Sequence, residues 1–186
     1  MSPSGTVGAD ERLRLFLGFR LPDVAGRAVA AWQQEQLAVE RVRIVPAENL
    51  HVTIAFLGSR PAGEIEAVAD ALREAVDGVA RPIFTPTRYR ETRAVGMLVL
   101  DDEQGRATRI AEDAHARLEG LGVYELEART WLPHLTVARF RERPRLEPSI
   151  PDLGPVTMSD AAVYMSRLRP DGAQYEVLES VPLGGG

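Results

Sequence analysis

The sequence contains no cysteine and no lysine. Without Cys there is no disulfide, no thiolate nucleophile and no thiolate metal site, and a reducing, cytoplasmic location is the expectation. Without Lys there is no Schiff-base residue and no P-loop lysine, which excludes P-loop kinases and lysine-dependent aldolases. All 22 basic residues are Arg, a usage that codon bias in a GC-rich gene accounts for. A surplus of positive charge is missing too. The 27 acidic residues leave a net charge of −5, which argues against broad duplex binding but allows a small anion in a local basic pocket. No apolar run approaches the roughly 18–20 residues of a membrane helix. Residues Met1–Asp10 are small and polar, without the apolar stretch of a signal peptide. Residues 1–11 read as a disordered N-terminal tail, ahead of a single domain over 12–186.

What is present is an ordinary globular balance, 45% hydrophobic and 26% charged. Residues 13–21, rich in Leu and Phe, predict a strand. Asp23 is the expected N-cap of a helix whose apolar stripe is Val24, Ala28, Ala31 and Trp32. After a turn at Pro46–Asn49, the β-branched and aromatic run Leu50–Leu57 predicts a strand that stops at Gly58. Ile65, Val68, Ala69, Leu72 and Val76 set out a helical face over about 62–76. Strands over about 83–90 and 94–100 follow, then a helix over about 103–119 with Ala107, Ile110, Ala111, Ala114 and Leu118 on one side. Residues 131–140 predict a strand. Residues 161–169 and 175–182 predict a hairpin closed by Pro170-Asp171-Gly172. The class is α+β.

The chemistry is carried by a repeat. Two of the three histidines have Thr two residues on, His51 with Thr53 and His134 with Thr136, 83 residues apart. With nine threonines in the chain, chance produces that pairing roughly once in a hundred sequences. The strands and helices upstream of each motif match in order and spacing, so two pseudo-symmetric halves are expected, each bringing one motif to a shared cleft. In a strand, residues i and i+2 share a face. Each half therefore presents an imidazole beside a hydroxyl. Two imidazoles form a general acid–base pair near neutral pH, and two hydroxyls can donate to phosphate oxygens. His115 lacks the Thr and reads as a helix-surface residue. Phe56, by alternation, faces the core. Arg139, Arg141, Arg143 and Arg145 read either as a solvated loop or as a basic edge that steers RNA. Alternation sets Arg139 on the Leu135/Val137 face, so it reaches the cleft only where the strand ends or bulges.

The segments that carry the motifs resemble the 2H phosphoesterases. They are Leu13-Arg-Leu-Phe-Leu-Gly-Phe-Arg-Leu-Pro22, Val45-Pro-Ala-Glu-Asn-Leu-His-Val-Thr-Ile-Ala-Phe-Leu-Gly58 and Trp131-Leu-Pro-His-Leu-Thr-Val-Ala-Arg139. With Ser166-Arg-Leu, Gly172-Ala and Tyr175-Glu-Val-Leu178, the likeness is to the RNA 2′,3′-cyclic phosphodiesterase (2′-5′ RNA ligase) branch, over about residues 12–183. The resemblance implies a bilobed fold of two antiparallel sheets around a central cleft with helices outside. It also implies hydrolysis of 2′,3′-cyclic phosphate ends of RNA or nucleotides to 2′-phosphates without metal or other cofactor, and weak reversible 2′-5′ joining of RNA ends. His51 matches the proton donor, His134 the proton acceptor, and Thr53 and Thr136 the phosphate-binding groups. Arg139 matches a basic position that can approach the phosphate. The family's frequent Trp before the Val-Pro turn is Ile44 here, and residues 82–96 are shorter than usual. Two other readings stay open. One is another 2H branch acting on 2′-5′ oligonucleotides or ADP-ribose cyclic phosphate; the other is a non-catalytic RNA- or nucleotide-binding module. A monomer with no membrane partner is expected.

Overall fold

Leu13, Leu15, Leu17 and Phe19 alternate along β1 (Arg12–Arg20) and bury one face of it, while Phe16 and Gly18 occupy the other. The computed structural model of the chain describes residues 10–170 and 172–184. After β1 come α1 (Asp23–Gln36), β2 (Val42–Ile44), β3 (His51–Pro61), α2 (Ile65–Val76), β4 (Ile83–Glu91), β5 (Val95–Asp102) and α3 (Arg106–Gly120). The chain continues with β6 (His134–Phe140), β7 (Val156–Thr157), β8 (Asp160–Arg169) and β9 (Gly172–Pro182). The α+β class holds. Every strand pairing is antiparallel, in the order β7-β4-β5-β6-β3-β1-β8-β9, with β2 added to β6. Where two sheets are expected, one connected sheet is found, and it is thinnest at its centre. There β3 and β6 meet through the single pair Val52↔Leu135.

One face of the sheet packs on the helices. Val68, Ala69 and Leu72 of α2 and the five predicted apolar residues of α3 have no exposure and join one core with Leu15, Leu17, Phe19, Ile54 and Val137. Burial of each large aliphatic side chain stabilises the fold by about 1.5–3 kcal/mol relative to exposure. A second, small cluster of Phe16, Ala162 and Tyr164 lies on the opposite face, with Tyr175 against it. No helix among the described residues is long and apolar enough to cross a membrane.

Several boundaries differ from expectation for physical reasons. Pro22, not Asp23, occupies the N-cap position of α1, and no side chain caps it. The buried stripe of α1 is Ala25, Gly26, Val29, Trp32 and Gln33, while Val24 is 72% exposed. The helix is rotated because two polar anchors fix it: the Trp32 indole N–H donates to the Ser149 carbonyl, and Gln33 donates to Val45 and Val137 carbonyls. Gly58, with φ of +68°, does not end β3; it sits at a bulge, and pairing continues to Pro61. β6 begins at His134 rather than at Trp131, because Pro133 has no N–H for the ladder and offers only its carbonyl, to Leu100 N–H. The short strands β2 and β7 were not anticipated. The tail expected at 1–11 falls mostly outside the described residues, and Glu11 already accepts a hydrogen bond from Ala62 N–H. Asp171 of the predicted hairpin turn also lies outside them.

Candidate active site

The two His-x-Thr motifs open β3 and β6, and their first seven residues share one burial pattern. The likeness extends to a defect. Along β1 and β3, Gly18 pairs with Thr53 but Leu17 pairs with Ala55, so Ile54 is an extra residue. Along β5 and β6, Met97 pairs with Thr136 but Gly96 pairs with Ala138, so Val137 is extra. Each motif thus carries a β-bulge one residue after its Thr. A bulge reverses the alternation beyond it. Ile54 and Ala55, like Val137 and Ala138, are both buried, and the next residues turn out of the core. Phe56 therefore does not face the core as alternation predicts. It is 67% exposed and lines a cavity of about 470 Å³ with Thr53, Trp131, His134 and the arginines Arg88 and Arg90. The same shift brings Arg139 to the face of His134 and Thr136, where it lines a smaller cavity of about 150 Å³ with Asn49 and Tyr175.

The central pair Val52↔Leu135 brings the motifs together, since each of these residues lies between the His and the Thr of its own motif. Both imidazoles are held alike. His51 Nδ1–H donates to the Asn49 carbonyl at 2.7 Å, and His134 Nδ1–H donates to the Leu132 carbonyl at 2.8 Å. A carbonyl can only accept, so this bond puts the neutral ring's proton on Nδ1 and leaves Nε2 to take or give a proton. The surroundings then differ. His51 is wedged among Phe16, Tyr175 and Tyr164, with ring centroids at 4.7, 5.3 and 5.7 Å. Burial pushes its pKa down to about 4 despite the bond to Asn49, and the charges of His134 and Arg139 push in the same direction. Gly18 makes room for this ring: a Cβ there would lie 3.3 Å from His51 Cδ2 and 3.2 Å from the Val52 carbonyl oxygen.

Other side chains fix the frame. The Trp131 indole N–H donates to the Thr53 carbonyl at 3.0 Å, tying the lead-in of one motif to the strand of the other. Asn49 Nδ2 donates to the Ala173 carbonyl and anchors the turn before His51 to β9. His115 is not a free surface residue. Its Nε2 donates to the Ile54 carbonyl at 2.7 Å, and its ring stacks on Tyr124. Of the four alternating arginines, Arg143 is paired with the buried carboxylate of Glu91 at 3.1 Å. Glu91 also accepts from the N–H groups of Arg145 and Leu146. That segment is a strapped loop, and Arg139 alone of the four stands in the strand. Among the described residues, no group of three or more His, Asp or Glu side chains is placed to hold a metal ion. The sequence reading missed Phe16, Tyr164, Tyr175, Asn49 and Trp131. Phe16, Asn49, Trp131 and Tyr175 stand inside the quoted motif segments, whereas Tyr164 carries no signal in the sequence.

An antiparallel α+β fold that joins two His-x-Thr strands at its centre defines the 2H class of phosphoesterases. The model of the LigT-like phosphoesterases matches residues 20–87. A Thermus thermophilus protein named RNA 2′,3′-cyclic phosphodiesterase is 30% identical over 93% of this chain and 91% of its own length. One of the same name from Methanocaldococcus jannaschii is 25% identical over 90% of this chain and 99% of its own. A solved Thermus thermophilus structure superposes with a TM-score of 0.78 at 27% identity, over 92% of this chain and 98% of that one. E. coli LigT complexed with 3′-AMP shares the fold, with a TM-score of 0.76 at 20% identity over 94% and 100% of the two chains. The chain belongs to the LigT-like phosphoesterase family.

Proposed function

We propose that this chain hydrolyses 2′,3′-cyclic phosphate ends of RNA or nucleotides to 2′-phosphates, using two pseudo-symmetric halves of one domain and no metal. His134 Nε2 takes a proton from water as the water oxygen bonds to phosphorus. The bond from phosphorus to O3′ breaks, and His51 Nε2–H gives its proton to that oxygen, leaving a 3′-hydroxyl and a 2′-phosphate. Thr53 and Thr136 donate to the non-bridging oxygens, whose charge grows in the transition state, and Arg139 adds a positive charge nearby. With an RNA 5′-hydroxyl in place of water as the nucleophile, the same groups form a bond from O5′ to phosphorus as the bond to O3′ breaks, which joins the two ends slowly through a 2′-5′ phosphodiester; the reverse of that step cleaves it again. The observation that carries this reading is the matched pair of imidazoles, each held through Nδ1, and near enough that the charge of one lowers the pKa of the other. The shared name of the relatives from two organisms supports the substrate class.

The low pKa of His51 favours a second assignment, with the roles exchanged, because the free protein holds this ring neutral and ready to accept a proton. In the first assignment the negative charge of the bound phosphodiester raises the pKa of His51, and the ring takes its proton from solvent. The overall reaction is tested by incubating a nucleoside 2′,3′-cyclic phosphate with the protein in excess EDTA. Undiminished release of the 2′-phosphate is expected. Loss of activity on chelation, restored by a divalent ion, contradicts the proposal, as does release of the 3′-phosphate.

A further inference from the structure

We propose that His115 and Gln33 are positioning residues, each holding, from the helix of one strand–helix–strand unit, the bulge beside the His-x-Thr motif of the other. The inference rests on the catalytic reading above and adds to it the parts that aim the reacting groups.

A bulge takes a peptide out of the ladder, and a buried carbonyl removed from its partner needs another donor. Both extra residues are buried, Ile54 at 2% exposure and Val137 at 0%. The Ile54 carbonyl accepts from His115 Nε2 at 2.7 Å. The Val137 carbonyl accepts from Gln33 Nε2 at 2.7 Å and from Val45 N–H at 3.1 Å. The donors come from exchanged places. α1 follows β1 and leads towards β3, yet its Gln33 holds the bulge of β6. α3 follows β5 and leads to β6, yet its His115 holds the bulge of β3. The two contacts are counterparts at the same step of the same motif.

Neither donor is an economical way to fill a core. Gln33 has no exposure, and its Oε1 finds no hydrogen-bond partner, while its Nε2 reaches both the Val45 and Val137 carbonyls. A buried amide with an orphan oxygen is retained where its donor is needed. His115 is oriented by Tyr124, whose ring lies 4.8 Å away and 23° from coplanar. What the bulges aim is the cleft. Thr53 and Phe56 flank the first, and Thr136 and Arg139 flank the second. Without the bulge, strict alternation sets its two flanks on opposite faces, so that with Thr53 or Thr136 turned to the cleft Phe56 or Arg139 turns into the core.

The test is steady-state hydrolysis of a nucleoside 2′,3′-cyclic phosphate by the full chain carrying His115→Leu, His115→Gln or Gln33→Met, with folding checked by circular dichroism. Leu and Met fill space without an N–H donor, whereas Gln at 115 supplies a side-chain N–H in place of the imidazole Nε2–H. His115→Leu is expected to lose about tenfold or more in kcat with KM held within about threefold, the pattern of a group that matters in the transition state. His115→Gln should recover to within about threefold of the parent, and Gln33→Met should repeat the loss. A folded His115→Leu protein with the parent's kcat overturns the inference, and so does a His115→Gln protein as slow as His115→Leu. If His115→Leu does not fold, the kcat of Gln33→Met decides by the same criterion, and if that variant fails too, parent-like or impaired turnover of His115→Gln decides. His51→Ala and His134→Ala run alongside. Parent-like rates for those two remove the catalytic reading itself, whereas inactive His variants beside a fully active His115→Leu remove only the positioning role.

Discussion

At the scale of single residues, the two histidines are matched in tautomer and unmatched in environment. His51 has an aromatic cage, and its pKa is lowered to about 4, against about 6.5 for a free side chain. The native state therefore binds fewer protons than the unfolded chain between those values, and stability is lost as pH falls from about 6.5 to 4. Urea midpoints measured from pH 7 to 4.5 should fall more steeply for the parent than for His51→Gln; parallel slopes contradict the burial argument. An anion in the cleft opposes the same effect, so binding of a phosphate analogue near pH 5.5 should take up protons, which calorimetry in buffers of different ionisation enthalpy reads directly. The division of labour is testable with a leaving group that needs no proton. On such a substrate His51→Ala should recover much of its rate, while His134→Ala stays slow because water still needs a base. The opposite pattern exchanges the roles.

At the scale of elements, the feature that matters is the bulge, and it was only half legible. The helical faces of α2 and α3 followed from apolar spacing, because packing against one sheet leaves a periodic trace, and β1 followed from its run of Leu and Phe. The bulges leave a fainter one, the adjacent apolar pairs Ile54-Ala55 and Val137-Ala138 where strict alternation allows one apolar residue. Read that way, both motifs become His-x-Thr followed by a β-branched residue and Ala, and Phe56 and Arg139 move to the cleft side together. The rotation of α1 was not legible at all, since it depends on the carbonyls of Val137 in β6 and of Ser149 beyond it, both more than a hundred residues away. Two substitutions probe this level. Gly18→Ala puts a methyl against a His51 ring that its aromatic neighbours prevent from yielding, and kcat should fall about tenfold with the protein still folded. Parent-like turnover would mean the ring has room to move. Glu91→Ala removes the acceptor of Tyr89, Arg143 and two backbone N–H groups. It should cost about 2–3 kcal/mol in chemical denaturation, and an unchanged midpoint would deny that the loop after β6 is strapped by this carboxylate.

At the scale of the whole molecule, two strand–helix–strand units, β1-α1-β3 and β5-α3-β6, meet through one residue pair, and cross-contacts from Trp131, Gln33 and His115 hold them in register. The repeat was visible because the same residue types, His and Thr two residues apart, stand in both halves of the chain. The single connected sheet was not visible, because a one-pair junction has no sequence pattern of its own. The central claim is that the two motifs serve one phosphate as a unit, and the most direct measurement is kcat/KM for His51→Ala, His134→Ala and the double variant on one nucleoside 2′,3′-cyclic phosphate. Each single change is predicted to lower it by about 10²–10⁴-fold, with the double variant falling little below the slower single one. Losses that multiply in the double variant, or single variants that keep the parent's rate, would contradict the claim.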